Sequence, residues 1–457
     1  MKDKRGVVHW LVGKKRDLER LANGGTKQHV IATIWGGKNY PKHIDNMWHK
    51  FGNHPPTDEH FLQLFEKIAR FINPKRPELT ASDMIHCTQQ EFRRMMSAEN
   101  RAMIRRIEGT KEHIQFLVDL DAHRLDVHKD WLDKGVVDQR YMYSDRYAVE
   151  GWKNVVDSGG YHQFKHCRQV LDEFLAGDIW TEALEKQEIG SVVILGAGAW
   201  QKDVEILNSI LDHEAYKTTP FKFIVFDSSF YMLADTITAI ERVLDTRRVR
   251  DRIDLIPCCA DFMRLAAWQD IIEPLEEEKR IAVFILGGTI GNLDDAVLFH
   301  AVSNTTKEGD LFVVSGEFVP ETEVDVFRKL FENEYDGDST RDSTRNFALG
   351  PVHHLLDEKR HSREPDVRRG YVEVKFLDDA SHLPARARSL LPGTLAAVFR
   401  LKIAIEGVKL ILIVAKRYLE KAIVASATSL GFECVETHHG RGKARYHRYL
   451  VFRKTAG

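Results

Sequence analysis

The sequence predicts an α/β protein built on a doubly wound parallel sheet that ends in an antiparallel hairpin, with a mostly helical region in front. Three observations carry this. From about residue 190, short apolar runs alternate with segments of helical spacing. The runs are apolar on both faces, as strands covered by helices on each side are. Near its end the chain has two alternating segments, ECVETHH and YHRYLVFRK, joined by GRG, a turn that suits a hairpin.

In chain order, SVVILGAG reads as a strand and DVEILNSIL as the helix after it; KFIVFD and FYMLADTITAIERVL form the next pair. IDLIPCC is followed by a helical DFMRLAAW, IAVFILGG by LDDAVLFHAVSNTT, and GDLFVVSGEF by a helix opening at VFRKLFENEY. AAVFRLKIAIEGVKLILIVAKRYL holds two alternating runs around Glu-Gly and suits a hairpin, and KAIVASATSLGF is a helix before the terminal pair. A parallel sheet finished by an antiparallel hairpin is the usual shape of class I methyltransferase domains, which are Rossmann-like. We therefore divide the chain into residues 1–135, mostly helical and of unassigned role, and 136–457, the α/β domain with its insertions.

In the first part, helical spacing runs through 58–72, 90–108 and 111–132. Trp35, His43, Trp48 and His49 are read as core and surface residues of that module rather than as a binding site. At 457 residues the chain has ample length for a large core, and 43% hydrophobic with 29% charged residues marks a globular protein.

A formal charge of −2 excludes a surface tuned throughout to nucleic acid. The local basic stretch His438 to Arg448 reads as a solvated turn in preference to a polyanion contact. Five cysteines, Cys87, Cys167, Cys258, Cys259 and Cys434, show no CxxC spacing, which suits a reducing compartment. With no signal-peptide pattern and no apolar stretch of membrane-spanning length, the expectation is a cytoplasmic protein without membrane or metal partners.

The turn after the first strand of the sheet carries the cofactor reading. Gly196 and Gly198 let the backbone approach a ligand, but Gln201 stands where a dinucleotide fingerprint needs a third glycine. That favours S-adenosylmethionine, which has no pyrophosphate. Asp227 ends the second strand, where a carboxylate can accept from both ribose hydroxyls. Asp261 and Phe262 follow the third, where an acid beside an aromatic suits the amine and face of an adenine. Each acid could also be a helix N-cap.

FILGGTIGNLDD, Phe284 to Asp295, is the most specific stretch. It resembles the signature of the histidine-specific S-adenosylmethionine-dependent methyltransferases, the histidine Nα-methyltransferases of ergothioneine biosynthesis. The resemblance spans about 139–454, through YMYSDRYAVEGW, GGYHQFK and ENEYDGDSTRDSTRNFAL. It implies a cofactor site made by Gly196, Gly198, Lys202, Asp227, Asp261, Phe262 and Gly287. It also implies that Asn292 holds the substrate amino group, that Tyr161 contacts substrate, and that Tyr143 lines the cofactor and substrate region as a substrate-binding residue. Asn292 and Tyr161 are then the residues that orient the acceptor nitrogen, with no dedicated strong base.

One departure bears on the acceptor. Where the histidine enzymes carry a glutamate and a serine that hold the imidazole, this chain has Ile413 and Ala415. An apolar wall cannot accept imidazole hydrogen bonds, and each unpaired polar group would cost about 1–3 kcal/mol. The expected activity is N-methylation of an amino acid or related small amine other than histidine. The alternatives are a macromolecular acceptor docked by the N-terminal region and a cofactor-binding protein without catalysis.

Overall fold

The computed structural model describes residues 103–106, 113–116 and 127–456, apart from 139–141, 144–145, 158–160, 199, 353–355, 357–368 and 385–386. The helix expected over 58–72, and Trp35, His43, Trp48, His49 and Cys87, lie outside the described residues. The chain divides into one unit of Met1–Arg105 with Gln115–Val127 and another of Arg106–Ile114 with His128–Gly457.

Two short strands, β1 (Met103–Arg106) and β2 (His113–Phe116), stand inside the spans expected to be helical, 90–108 and 111–132. Gly109 and Thr110 break the helical pattern between them, and Ile114 and Phe116 alternate about Gln115, so local strand preference overrides the longer period. Helix forms instead at α1 (Val127–Lys134), whose Trp131 is buried. Val136 then bridges to Ile411, so the second unit is already packed before residue 138.

The helices α2 (Arg146–Asp157), α3 (Gln163–Leu175) and α4 (Asp178–Glu185) lead into the sheet. Its first five strands are β3 (Ile189–Leu195), β4 (Phe221–Asp227), β5 (Ile253–Cys259), β6 (Arg280–Ile285) and β7 (Leu311–Val319). They are parallel in the order β5-β4-β3-β6-β7. Every residue of β3, β4 and β7 is buried, as strands covered on both faces must be.

Helices α5 (Gln201–Asp212) and α6 (Phe230–Arg247) make the crossovers after β3 and β4. After β5 the expected helix is a 3-10 segment, Phe262–Trp268, running into the short α7 (Gln269–Ile272). Then α8 (Asp295–Thr305) follows β6, and α9 (Val324–Asp336) with α10 (Arg341–Leu349) follow β7. Ser229 caps α6 by accepting from the Met232 N–H, and Asp294 caps α8 through Val297.

After α11 (Glu420–Ser429), the terminal hairpin β11 (Phe432–His439) and β12 (His447–Lys454) completes the sheet, with β12 antiparallel to β7. Strand order reverses at β3, between β4 and β6. Ligands of such sheets bind outside the carboxyl ends at that switch point.

The other hairpin belongs to a three-stranded antiparallel ribbon that joins the sheet at one end. β8 (Val372–Leu377), β9 (Leu395–Leu401) and β10 (Ile411–Leu419) pair antiparallel, turning at Glu406 and Gly407, both with positive φ. β10 meets the main sheet only where β7 outruns β6, at Tyr418–Phe318 and Leu419–Val319. One face of the ribbon, with Ala396, Val398 and Val414, packs on Val136, Ala380, Leu383 and Ala387. By strand alternation Phe399, Ile413, Ala415 and Arg417 belong to the other face.

At the tip of the last hairpin, Arg441, Arg445 and Arg448 pair with Glu173, Glu323 and Glu420. Each of these arginines thus has a carboxylate partner within the chain, while Arg441 and Arg445 remain exposed. Among the described residues, no helix is long and apolar enough to cross a membrane.

Candidate active site

The glycine turn is built by two constraints. Gly196 (φ +84) and Gly198 (φ +51) occupy the left-handed region, and a Cβ on Gly196 would stand 2.7 Å from Thr289 Cγ2. The carboxylate of Asp227 then ties the turn to the end of β4. Its Oδ2 accepts from the Ala197 N–H at 2.9 Å and its Oδ1 from the Ser229 N–H at 2.6 Å. Burial pushes this carboxyl up to about 6, partly offset by those backbone donors.

A cavity opens on this turn. Gly196, Gly198, Lys202, Asp227, Asp261, Phe262, Gly287, Asn292, Tyr161, Tyr143, Ile413 and Ala415, the whole set expected from sequence, line this one space. Lys202 is buried and donates to the Leu286 carbonyl at 3.3 Å, beside Gly287. Asp261 caps the 3-10 segment through the Met263 N–H at 3.0 Å. A carboxylate offers about four acceptor positions, so the capping role leaves room for a ligand contact as well.

The loop bearing Asn292 is held from beneath by β10. Lys416 Nζ donates to the Leu293 carbonyl and lies 3.3 Å from Asp295 Oδ2, while Tyr418 OH reaches the same oxygen at 3.0 Å and the Ile290 carbonyl at 3.1 Å. Burial lowers the Lys416 ammonium below its ordinary value, opposed by the Asp295 charge. The strand is thereby divided: Lys416 and Tyr418 support the loop, whereas Ile413 and Ala415 line the cavity and Arg417, on their face of the strand, lies behind its wall.

Sequence reasoning missed the aromatic wall and the polar cluster behind it. Trp152 packs edge-on to Tyr161 at 5.2 Å and beside Phe347 at 5.4 Å, and Tyr143 stacks on Phe347 at 5.5 Å. Tyr335 and Phe399 extend the wall at 5.7 Å. Behind it, Arg417 is buried between Glu317 (3.0 Å) and Glu334 (3.1 Å). Burial alone would raise Glu317, yet the adjacent His166 ring, 3.6 Å away, and the Arg417 charge hold it down to about 2. Burial and the charge of Glu317 push Glu334 up to about 8. Three of these groups sit within stretches already singled out, but their meeting depends on a separation of some hundred residues that local spacing does not show.

Residues 128–443 match the family described as histidine-specific methyltransferase, SAM-dependent. The chain belongs to that family. This methyltransferase also resembles solved structures at low identity. The CcbJ methyltransferase from Streptomyces caelestis is 13% identical over 60% of this chain and 88% of its own, with a TM-score of 0.29. Magnesium protoporphyrin IX methyltransferase from Synechocystis PCC 6803, with bound SAH, is 10% identical over 69% and 98%, with a TM-score of 0.35. The glycopeptide N-methyltransferase MtfA complexed with S-adenosylmethionine is 13% identical over 58% and 87%, with a TM-score of 0.26. A search of curated proteins gives no match.

The methyltransferase thus uses S-adenosylmethionine, and the residues present fit it. Gly196 bears no Cβ on the side of Thr289, and the Asp227 carboxylate, which accepts from the backbone N–H groups of Ala197 and Ser229, has acceptor capacity remaining for a hydroxyl. Among the described residues, no group of three or more His, Cys, Asp or Glu is arranged to hold a metal ion.

Proposed function

We propose that this methyltransferase acts on the nitrogen of an amino acid or related small amine whose side chain is apolar, and that histidine is not its acceptor. One observation carries the reading: Ile413 and Ala415 line the same cavity as Asn292 and Tyr161. The side-chain end of the acceptor therefore meets aliphatic and aromatic surface, with Phe399 and Leu293 beside them. Ile413 and Ala415 offer an imidazole no hydrogen-bond partner, and each polar group left unpaired against them would cost about 1–3 kcal/mol.

For the cofactor, Gly196, Gly198, Lys202 and Gly287 would surround the methionine end, Asp227 would accept from the ribose hydroxyls, and Asp261 with Phe262 would hold the adenine. When bound, S-adenosylmethionine supplies an electrophilic methyl group on a sulfonium sulfur.

The protein's share is placement and dehydration. Asn292 offers an amide oxygen and Tyr161 a phenolic oxygen to the N–H groups of the acceptor, which leaves the nitrogen lone pair directed elsewhere. An α-amine has a pKa of about 7.7–8.0 in peptides, and an apolar enclosure favours its neutral form. Tyr143, Trp152 and Phe347 supply that enclosure.

The test is incubation with methyl-labelled cofactor and a small-molecule extract, with labelled products identified by mass. An N-methylated amine with an apolar side chain is expected; label confined to histidine or to macromolecules contradicts the reading.

A further inference from the structure

Arg417 does not line the cavity, yet it is tied to a residue that does. Its guanidinium is almost fully buried, over the rings of Phe331 (5.0 Å) and Tyr335 (5.6 Å). Nε donates to Glu317, and Nη2 lies 2.9 Å from Gln163 Oε1, 3.1 Å from Glu334 Oε2 and 3.2 Å from the Tyr335 hydroxyl. The same Gln163 oxygen lies 2.7 Å from the hydroxyl of Tyr161.

These contacts decide the direction of a hydrogen bond. A guanidinium only donates, so the atom Gln163 turns toward it must be its carbonyl oxygen rather than its amide nitrogen. A carbonyl oxygen only accepts, so the Tyr161 proton is committed to Gln163. The phenolic oxygen then presents lone pairs, not a proton, on its remaining side. Were the carboxamide reversed, its NH₂ would donate to Tyr161 and release the hydroxyl proton. That proton would then compete for the acceptor lone pair, which must stay open for methyl transfer.

We propose that Arg417 is a positioning residue of the acceptor subsite: by locking the Gln163 carboxamide it makes Tyr161 a hydrogen-bond acceptor toward the substrate nitrogen. This rests on the role proposed above for Tyr161. Gly288 is part of the same arrangement, because a Cβ there would stand 3.0 Å from Gln163 Oε1 and 3.3 Å from the Tyr161 hydroxyl.

The test combines a resonance with kinetics. Full-length protein carrying tyrosine labelled with ¹³C at Cζ is compared with Gln163→Met, Arg417→Lys and Arg417→Gln, the Tyr161 signal being assigned through Tyr161→Phe. Gln163→Met keeps both carboxylates paired with Arg417, so it serves even if Arg417→Gln does not fold. The Tyr161 resonance is expected to move in Gln163→Met and to stay near its place in Arg417→Lys, which keeps a donor-only cation. Methyl transfer into a mixture of the twenty L-amino acids should fall about tenfold or more in Gln163→Met and in Tyr161→Phe. The double variant should be no worse than either single one, with cofactor affinity by calorimetry unchanged.

A Tyr161 resonance unmoved in Gln163→Met overturns the inference and leaves the acceptor class standing. Full transfer by Tyr161→Phe overturns the role of Tyr161, and the inference with it. Absence of transfer by the parent protein counts against the acceptor class alone, since the resonance is read without an acceptor.

Discussion

The carboxylate of Asp227 accepts a 2.9 Å hydrogen bond from the backbone N–H of Ala197, so the end of β4 holds the glycine turn that follows β3. One group thus shapes the turn and faces the cavity, and its ionisation couples fold to cofactor. Burial raises it from 3.8 to about 6. Between those values the folded chain keeps a proton that the unfolded chain has released, so this group's contribution to stability falls as pH rises across the window and is level above it.

Cofactor affinity moves the opposite way, because ribose hydroxyls donate to the ionised form. Calorimetry should show binding about tenfold tighter at pH 7 than at pH 5. In Asp227→Asn that pH dependence should vanish and binding at pH 7 should weaken by about ten- to a hundredfold, the loss of a charge-assisted hydrogen bond.

Gly196→Ala tests the turn itself. At φ +84 an alanine is strained by about 1–2 kcal/mol, and its Cβ would press on Thr289 Cγ2. The variant should unfold at lower denaturant concentration and bind cofactor more weakly. Adding Thr289→Ser, which removes the obstructing methyl, should recover part of the loss and not all of it, since the backbone strain stays.

Lys416→Met should be destabilised by about 3–5 kcal/mol in urea, because Asp295 would remain buried with its cation gone. The paired change Lys416→Met with Asp295→Leu should regain much of that stability. Cofactor affinity need not return with it, since the loop of Asn292 loses its anchor at the Leu293 carbonyl.

Ile413→Glu with Ala415→Ser would restore polar partners where this wall is aliphatic. Competition between histidine and leucine for labelled methyl groups should shift toward histidine by about tenfold or more, the worth of one satisfied buried hydrogen bond. A ratio equal to that of the parent protein would mean that the acceptor side chain lies elsewhere.

The glycine turn, Asp227, Asp261 and the Gly-Gly-Thr-Ile-Gly-Asn stretch were legible because each occupies a fixed place at a strand end, and strand ends can be read from apolar runs. The attachment of the β8–β10 ribbon was harder to see. The Glu-Gly turn announces the hairpin of β9 and β10, but nothing local says that β10 joins the main sheet only through its last two residues. Arg417 stayed hidden for a related reason. In ILIVAKRYL it looks like one of two adjacent cations, and only strand alternation plus the arrival of Glu317, Glu334 and Gln163 from distant elements shows that it is buried. The strands β1 and β2 were read as helix because a long weak period outweighed two four-residue pieces with one β-branched residue each.

The most direct measurement is a competition in one vessel: methyl-labelled S-adenosylmethionine, the protein, and equal concentrations of L-histidine, L-leucine, L-phenylalanine and L-tryptophan, with each product separated and counted. Label on the amino nitrogen of an apolar amino acid, with histidine unlabelled, is the predicted result. Label on histidine in preference to the other three would contradict the reading of the wall formed by Ile413 and Ala415.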